Sequence, residues 1–214
     1  MADVRPSIPA VTGTEWRPGL AQAVSEMLWL WAALFDGPPP NEAWTAIQRA
    51  VRPFLDPLWA EVLPAPASAL TAEALAAEYE EHFLVPSPHG DLSLYDIDEN
   101  DAAGSPDWWF LAAALELPWR KERFTPGRAY PVRPDHLSVL FAMWAILVAG
   151  EPAAEVAGRL VAHWVKDVGA ACQRILRRLG AHLPQDSGYR VLAAQALAYS
   201  QHVLTYYPFK EGTS

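Results

Sequence analysis

The chain has 214 residues, of which 51% are hydrophobic and ten are tryptophan, and its net charge is −9. That length leaves room for a buried core, and that hydrophobic content excludes a globally disordered chain. A single cysteine excludes an internal disulfide and points to a reducing compartment, while the longest charge-free apolar run, Leu137 to Gly150, is too short to span a bilayer. The first residues, MADVRPSIPAVTGTEW, lack a positive patch followed by an apolar stretch, so no secretory signal is expected.

The elements follow one another as helices. The first is expected over Trp16–Phe35, closed by Asp36-Gly37 and a run of prolines. Asn41 suits the cap of a short helix reaching Val51, and Pro53–Leu63 suits another. Thr71 is an N-cap candidate for a helix to Leu84, with Glu73 in its first turn. Leu75, Tyr79 and Phe83 recur there at four-residue spacing, and Glu78, Glu80 and Glu81 fall off that line. Val85–Gly104, rich in Pro, Gly and Asp, is expected to be a long loop. Ser105-Pro106 then opens a helix to about Leu117.

A second irregular stretch, Pro118–Arg133, leads to Pro134 at the first position of the most apolar segment. Leu137, Leu140, Phe141, Trp144, Leu147 and Val148 form one face of that segment, and Val139, Met143 and Ile146 form another. A helix apolar on every side must be buried on every side, so it is placed at the centre of a bundle. Glu151–Leu179 follows, with Val156, Leu160, Trp164, Val168, Ala171 and Ile175 on one stripe. Arg174, Arg177 and Arg178 suit its C-terminal dipole and Gly180 its C′ position. The last helix is expected over Ser187–Tyr207, with Leu192, Ala196, Tyr199, Val203 and Tyr206 inward. With no strand, repeat or linker signal, the fold class is all-α: one helical bundle around a buried central helix over residues 1–214, with 1–15 and 208–214 as loosely ordered tails.

The charge is uneven. Pro53–Trp119 holds thirteen acidic residues and no Lys or Arg, which leaves twelve acids against sixteen bases elsewhere. Such a segment repels nucleic acid and anionic membranes and attracts basic partners, or else serves only as a solvated acidic face.

Signals for catalysis are weak. No histidines have the spacing of a helical zinc pair, and there is no cysteine pair or Gly-rich phosphate loop, so neither metal nor cofactor is expected. Cys172 lies mid-helix among Ala170, Ala171 and Ile175 and reads as a buried structural thiol; His163 reads as a packing residue. Asp96–Asp101, DIDEND, imitates the start of a calcium loop. Asp101 stands where Gly is needed and Asp107 where Glu is needed, so an acidic loop is the better reading.

The Asp135-His136 pair is the most informative feature. Asp in a first turn stabilises the helix dipole, but cationic His is disfavoured there, whereas a neutral imidazole can donate or accept a hydrogen bond. Polar groups exposed at the tip of a buried helix would form a rigid platform beside a groove. A helical hydrolase or metal-dependent enzyme using Asp135 and His136, and a purely structural adaptor, are the alternatives to a binding role.

Three segments together resemble a family. EYEEHFLVPSP (Glu78–Pro88) resembles the Tyr-x-x-Leu-Phe-x-x-Pro segment of the TorD/DmsD/NarJ chaperones, with His82 where Leu is usual. SLY (Ser93–Tyr95) resembles their Ser-x-Tyr, and RPDHLSVLFAMWAILV (Arg133–Val148) their Pro-Asp-His helix start, followed by a looser match in RLVAHWVKDV (Arg159–Val168). The resemblance implies an all-helical, cytoplasmic, non-enzymatic chaperone, monomeric or dimeric. It would bind the catalytic subunit of a molybdopterin oxidoreductase, through a twin-arginine signal peptide or another terminal segment, and assist cofactor insertion before export. It carries the peptide site onto Asp135 and His136, with Pro134 setting the helix start and Tyr79, Phe83 and Tyr95 as secondary contacts. Val132 and Arg133 stand where several members carry an acidic residue, so the resemblance leaves open which segment is bound.

Overall fold

The computed structural model describes residues 18–37, 71–84, 92–96, 106–115, 134–149 and 155–206. Among these residues the chain is an all-α bundle: α1 (Pro18–Asp36), α2 (Ala72–Tyr79), α3 (Pro106–Ala114), α4 (Leu137–Ala149), α5 (Glu155–His182) and α6 (Gly188–Tyr206). The helices expected over 41–51 and 53–63, the irregular stretch 118–133 and the two tails lie outside the described residues.

The bundle is organised by α4. From Leu137 to Val148 its residues are buried, apart from the partly buried Ile146, so every face of the helix meets protein. It packs against α1 on one side and α5 on another; α6 lies against α5 and also meets α2. Aromatic contacts tie three of these helices together. Phe35 of α1 stacks on Phe141 of α4 at 6.1 Å, and lies 6.2 Å from Tyr189 of α6. Burying side chains of this size stabilises the fold by about 1.5–3 kcal/mol each.

Local signals set several helix ends. Thr71 caps α2, its Oγ1 accepting from Ala74 N at 3.1 Å. The helix continues past Tyr79 as a π-helical turn, Glu80–Leu84. Ser187 caps α6, with Arg190 N donating to its Oγ at 3.3 Å. The remaining amides of that first turn are met from α2: Glu78 accepts from Gly188 N at 2.9 Å, Tyr189 N at 3.1 Å and Ser187 Oγ at 2.8 Å. A carboxylate here satisfies orphan donors and complements the helix dipole together.

Two expectations are corrected. Gly180 does not end α5, which runs on to His182; among the described residues nothing from outside its own helical turn lies within 4 Å of where its Cβ would be. Gly169 is the glycine that geometry requires. A Cβ there would come within 2.9 Å of Leu204 Cδ2 and 3.0 Å of Trp144 Cζ2, so it lets α5 approach α4 and α6 closely. His163, expected to pack, is exposed and meets Asp167 at 3.2 Å one turn along. Cys172 is buried as expected, and burial, then the nearby Asp96 charge, pushes its thiol well above the ordinary value.

Candidate functional site

The start of α4 is built by its own sequence and by a strap from the acidic segment. Pro134 does not occupy the first helical position: Pro134 and Asp135 form a turn, and the helix starts at Leu137. His136 is the cap. Its carbonyl accepts from Val139 N and Leu140 N, both at 2.9 Å, and its Nδ1 accepts from Ser138 N at 3.3 Å. A ring nitrogen thus takes the role usually filled by a Ser or Asp oxygen. With Nδ1 accepting, the neutral ring carries its proton on Nε2.

The strap is Leu92–Asp96. Tyr95 and His136 form an isolated antiparallel bridge, in which Asp96 N donates to Asp135 O at 2.9 Å and Leu137 N to Leu94 O at 2.7 Å. The second bond satisfies the first amide of α4, which the helix itself cannot. The Tyr95 ring stands edge-on to the His136 ring, with centroids 5.0 Å apart. Leu94 anchors the strap in the core.

The far side of the strap is held by α5. Arg174 meets Asp96 with two nitrogens, Nε to Oδ1 at 3.1 Å and Nη2 to Oδ2 at 2.6 Å. One turn later Arg178 Nη2 donates to Ser93 O at 2.8 Å and also to Tyr95 O. Burial holds the Arg178 guanidinium below its ordinary pKa, an effect the Asp96 charge opposes. The Arg178 Nε is buried with no hydrogen-bond partner among the described residues.

The segment 78–84 joins the same structure through α1. The Tyr79 hydroxyl donates to Asp36 O at 3.1 Å, and Asp36 Oδ1 lies 3.5 Å from Ser138 Oγ. Asp36, the last residue of α1, therefore links the Tyr79 region to the head of α4. Tyr79, Phe83 and Tyr189 form an aromatic cluster with centroids 5.3–5.8 Å apart.

The six residues singled out from sequence are thus brought to one end of the bundle, but not as an exposed platform. Asp135 is 2% exposed and His136 6%; Pro134 and Tyr79 are buried, and Phe83 and Tyr95 half-buried. The expectation of a polar pair open to solvent is corrected, because the cap bonds turn His136 inward and the strap lies over its ring. Sequence reasoning missed Asp36, Ser138, Arg174 and Arg178. The two arginines carried a usable signal, since four-residue spacing puts them on one helix face.

His136 Nδ1 lies 2.8 Å from Ser138 Oγ, the reach of a base–nucleophile pair. Yet Ser138 is 2% exposed, and the carboxylate of Asp36 lies beside the serine hydroxyl itself, at 3.5 Å. Of the DIDEND run only Asp96 is described, and it is engaged by Arg174. Among the described residues no group of three or more His, Cys, Asp or Glu is placed to hold a metal, and no helix is long and apolar enough to cross a membrane.

These features define the class of the protein as an all-α bundle whose central helix is capped by histidine and clasped by an extended strap. No family model, curated protein or solved structure matches the chain.

Proposed function

We propose that this chain is a cytoplasmic assembly chaperone, without bond chemistry of its own. It captures a peptide segment of the catalytic subunit of a molybdopterin oxidoreductase while cofactor is inserted. The observation carrying this reading is convergence. Of the three segments that resemble the TorD/DmsD/NarJ family, 78–88 and 93–95 are close in sequence and 133–148 begins about forty residues later; the described parts of all three meet through Asp36, the Tyr95–His136 bridge and the head of α4.

The acidic segment supplies the complementary charge. Glu80 and Glu81 are exposed beside the half-buried Phe83, and an arginine-bearing peptide with an apolar stretch needs carboxylates followed by apolar surface. The test is calorimetric titration of the full chain with the leader and terminal peptides of the candidate subunit, at low and high salt. Binding that weakens as salt screens the charges supports the reading. A chain that binds no peptide of that subunit and does not co-purify with it refutes the reading. His136→Asn keeps an acceptor at the cap while removing the ring, so it should lower affinity and retain the helical spectrum.

A further inference from the structure

The candidate site has a difficulty that points to its own solution. The Asp135-His136 pair is buried, and the Tyr95 ring and strap backbone lie against it. A peptide reaches His136 only if that cover moves. We infer that Leu92–Asp96 is a releasable strap, latched by Arg174 and Arg178 of α5, and that its release opens the head of α4 to the peptide.

The bonding pattern favours release as a unit. Among the described residues the strap belongs to no sheet; two backbone bonds join it to the 135–137 segment, Leu94 is buried in the core and the partly buried Leu92 packs against it. Two more of its carbonyls, Ser93 O and Tyr95 O, are held by one arginine nitrogen. That guanidinium is partly desolvated, and its Nε is buried without a partner among the described residues, so the clasp carries an internal cost that opening relieves. Arg174, by contrast, is 56% exposed along its side chain while the Asp96 it grips is 9% exposed. The latch is therefore reachable from solvent and from a ligand, and the carboxylate it hides becomes available to a peptide guanidinium once Arg174 lets go. Segments held by few apolar contacts occupy the low end of local opening energies.

The peptide part of this inference rests on the proposed function; the opening part does not, and the two are tested separately. Arg174→Gln removes both bonds to Asp96, and Arg174→Lys keeps the charge but loses the paired geometry. Hydrogen exchange is read at the Asp96 and Leu137 amides against amides within α4, α5 and α6. Arg174→Gln is expected to speed exchange at the two strap-facing amides by about tenfold, with Arg174→Lys between it and wild type and the helix interiors unchanged. Exchange that stays at the wild-type rate, or that rises only together with the helix interiors, overturns the latch. In the ligand arm, the client leader peptide is expected to bind Arg174→Gln more tightly than wild type, because less opening must be driven by binding. Open strap amides with unchanged or weaker peptide affinity overturn the gating while leaving the chaperone reading intact. Failure of every form of the protein to bind peptide overturns both the chaperone reading and the gating, and exchange then decides the strap opening alone.

Discussion

Glu78→Ala tests how α6 is held in the bundle. The wild-type carboxylate accepts three hydrogen bonds, from Ser187 Oγ and the amides of Gly188 and Tyr189, at 2.8–3.1 Å. A hydrogen bond to a charged group contributes about 1.5–3 kcal/mol, but three bonds to one carboxylate do not add in full. Water can reach the vacated amides, since Glu78 is only half-buried, and Ser187 still caps Arg190 N. Adding the loss of the helix-dipole interaction gives an expected cost of about 2–4 kcal/mol. For a chain of this size that lowers Tm by roughly 5–12 °C. Glu78→Gln should fall between wild type and Ala, because one carbonyl oxygen still accepts while its amide group opposes a donor. Urea unfolding followed by far-ultraviolet circular dichroism measures the difference. A Glu78→Ala protein within about 0.5 kcal/mol of wild type would refute the view that this residue secures α6.

Two glycines in α5 should respond with opposite signs. Gly180→Ala, in open space within the helix, is expected to stabilise by about 0.5–1 kcal/mol in the same unfolding assay. Gly169→Ala meets Leu204 and Trp144 at 2.9–3.0 Å and is expected to lose more to overpacking, about 1–3 kcal/mol, than it gains in helix propensity. Cys172, buried with its thiol pushed up, should stay unmodified by a thiol reagent at pH 8 in the native protein and react fully in denaturant. Burial raises Tyr189 and Tyr199 above their ordinary value of 10.0. Their contribution is therefore fully present below pH 10 and is lost as pH rises from there towards the folded values. Stability should fall by about 1.4 kcal/mol per pH unit per tyrosine in that window, followed by tyrosinate absorbance, and a flat profile would contradict the burial.

The fold was readable where one local pattern had one physical solution. An all-round apolar α4 could only be central, and Thr71 could cap α2 by chemistry within three residues. Three of the misreadings share a cause: the deciding partner lay far along the chain. Glu78 sat off the apolar line and read as a solvated charge, yet its partners lie more than a hundred residues away. Arg174 and Arg178 read as dipole partners of their own helix, and instead they hold a strap from the acidic loop. His136 was legible as unusual at a helix start; its inward turn was not, because a helix opening at Pro134 puts His136 inside the first turn rather than at the cap. Gly180 showed only that a residue was small, and only surrounding space distinguishes a stop from a tolerated gap.

The pairing of α1 with α4 has a consequence for how the chain is made. These two helices are neighbours in space, yet about a hundred residues separate them, so the ribosome must deliver most of the protein before the first can find its match. Until then, nascent α1 carries Leu28, Trp31 and Phe35 with nothing to cover them, and α4 has no wettable side at all. The chain would itself pass through an interval of exposed grease, and shortening that interval, through slow growth temperatures or a helper on the emerging chain, should raise its yield.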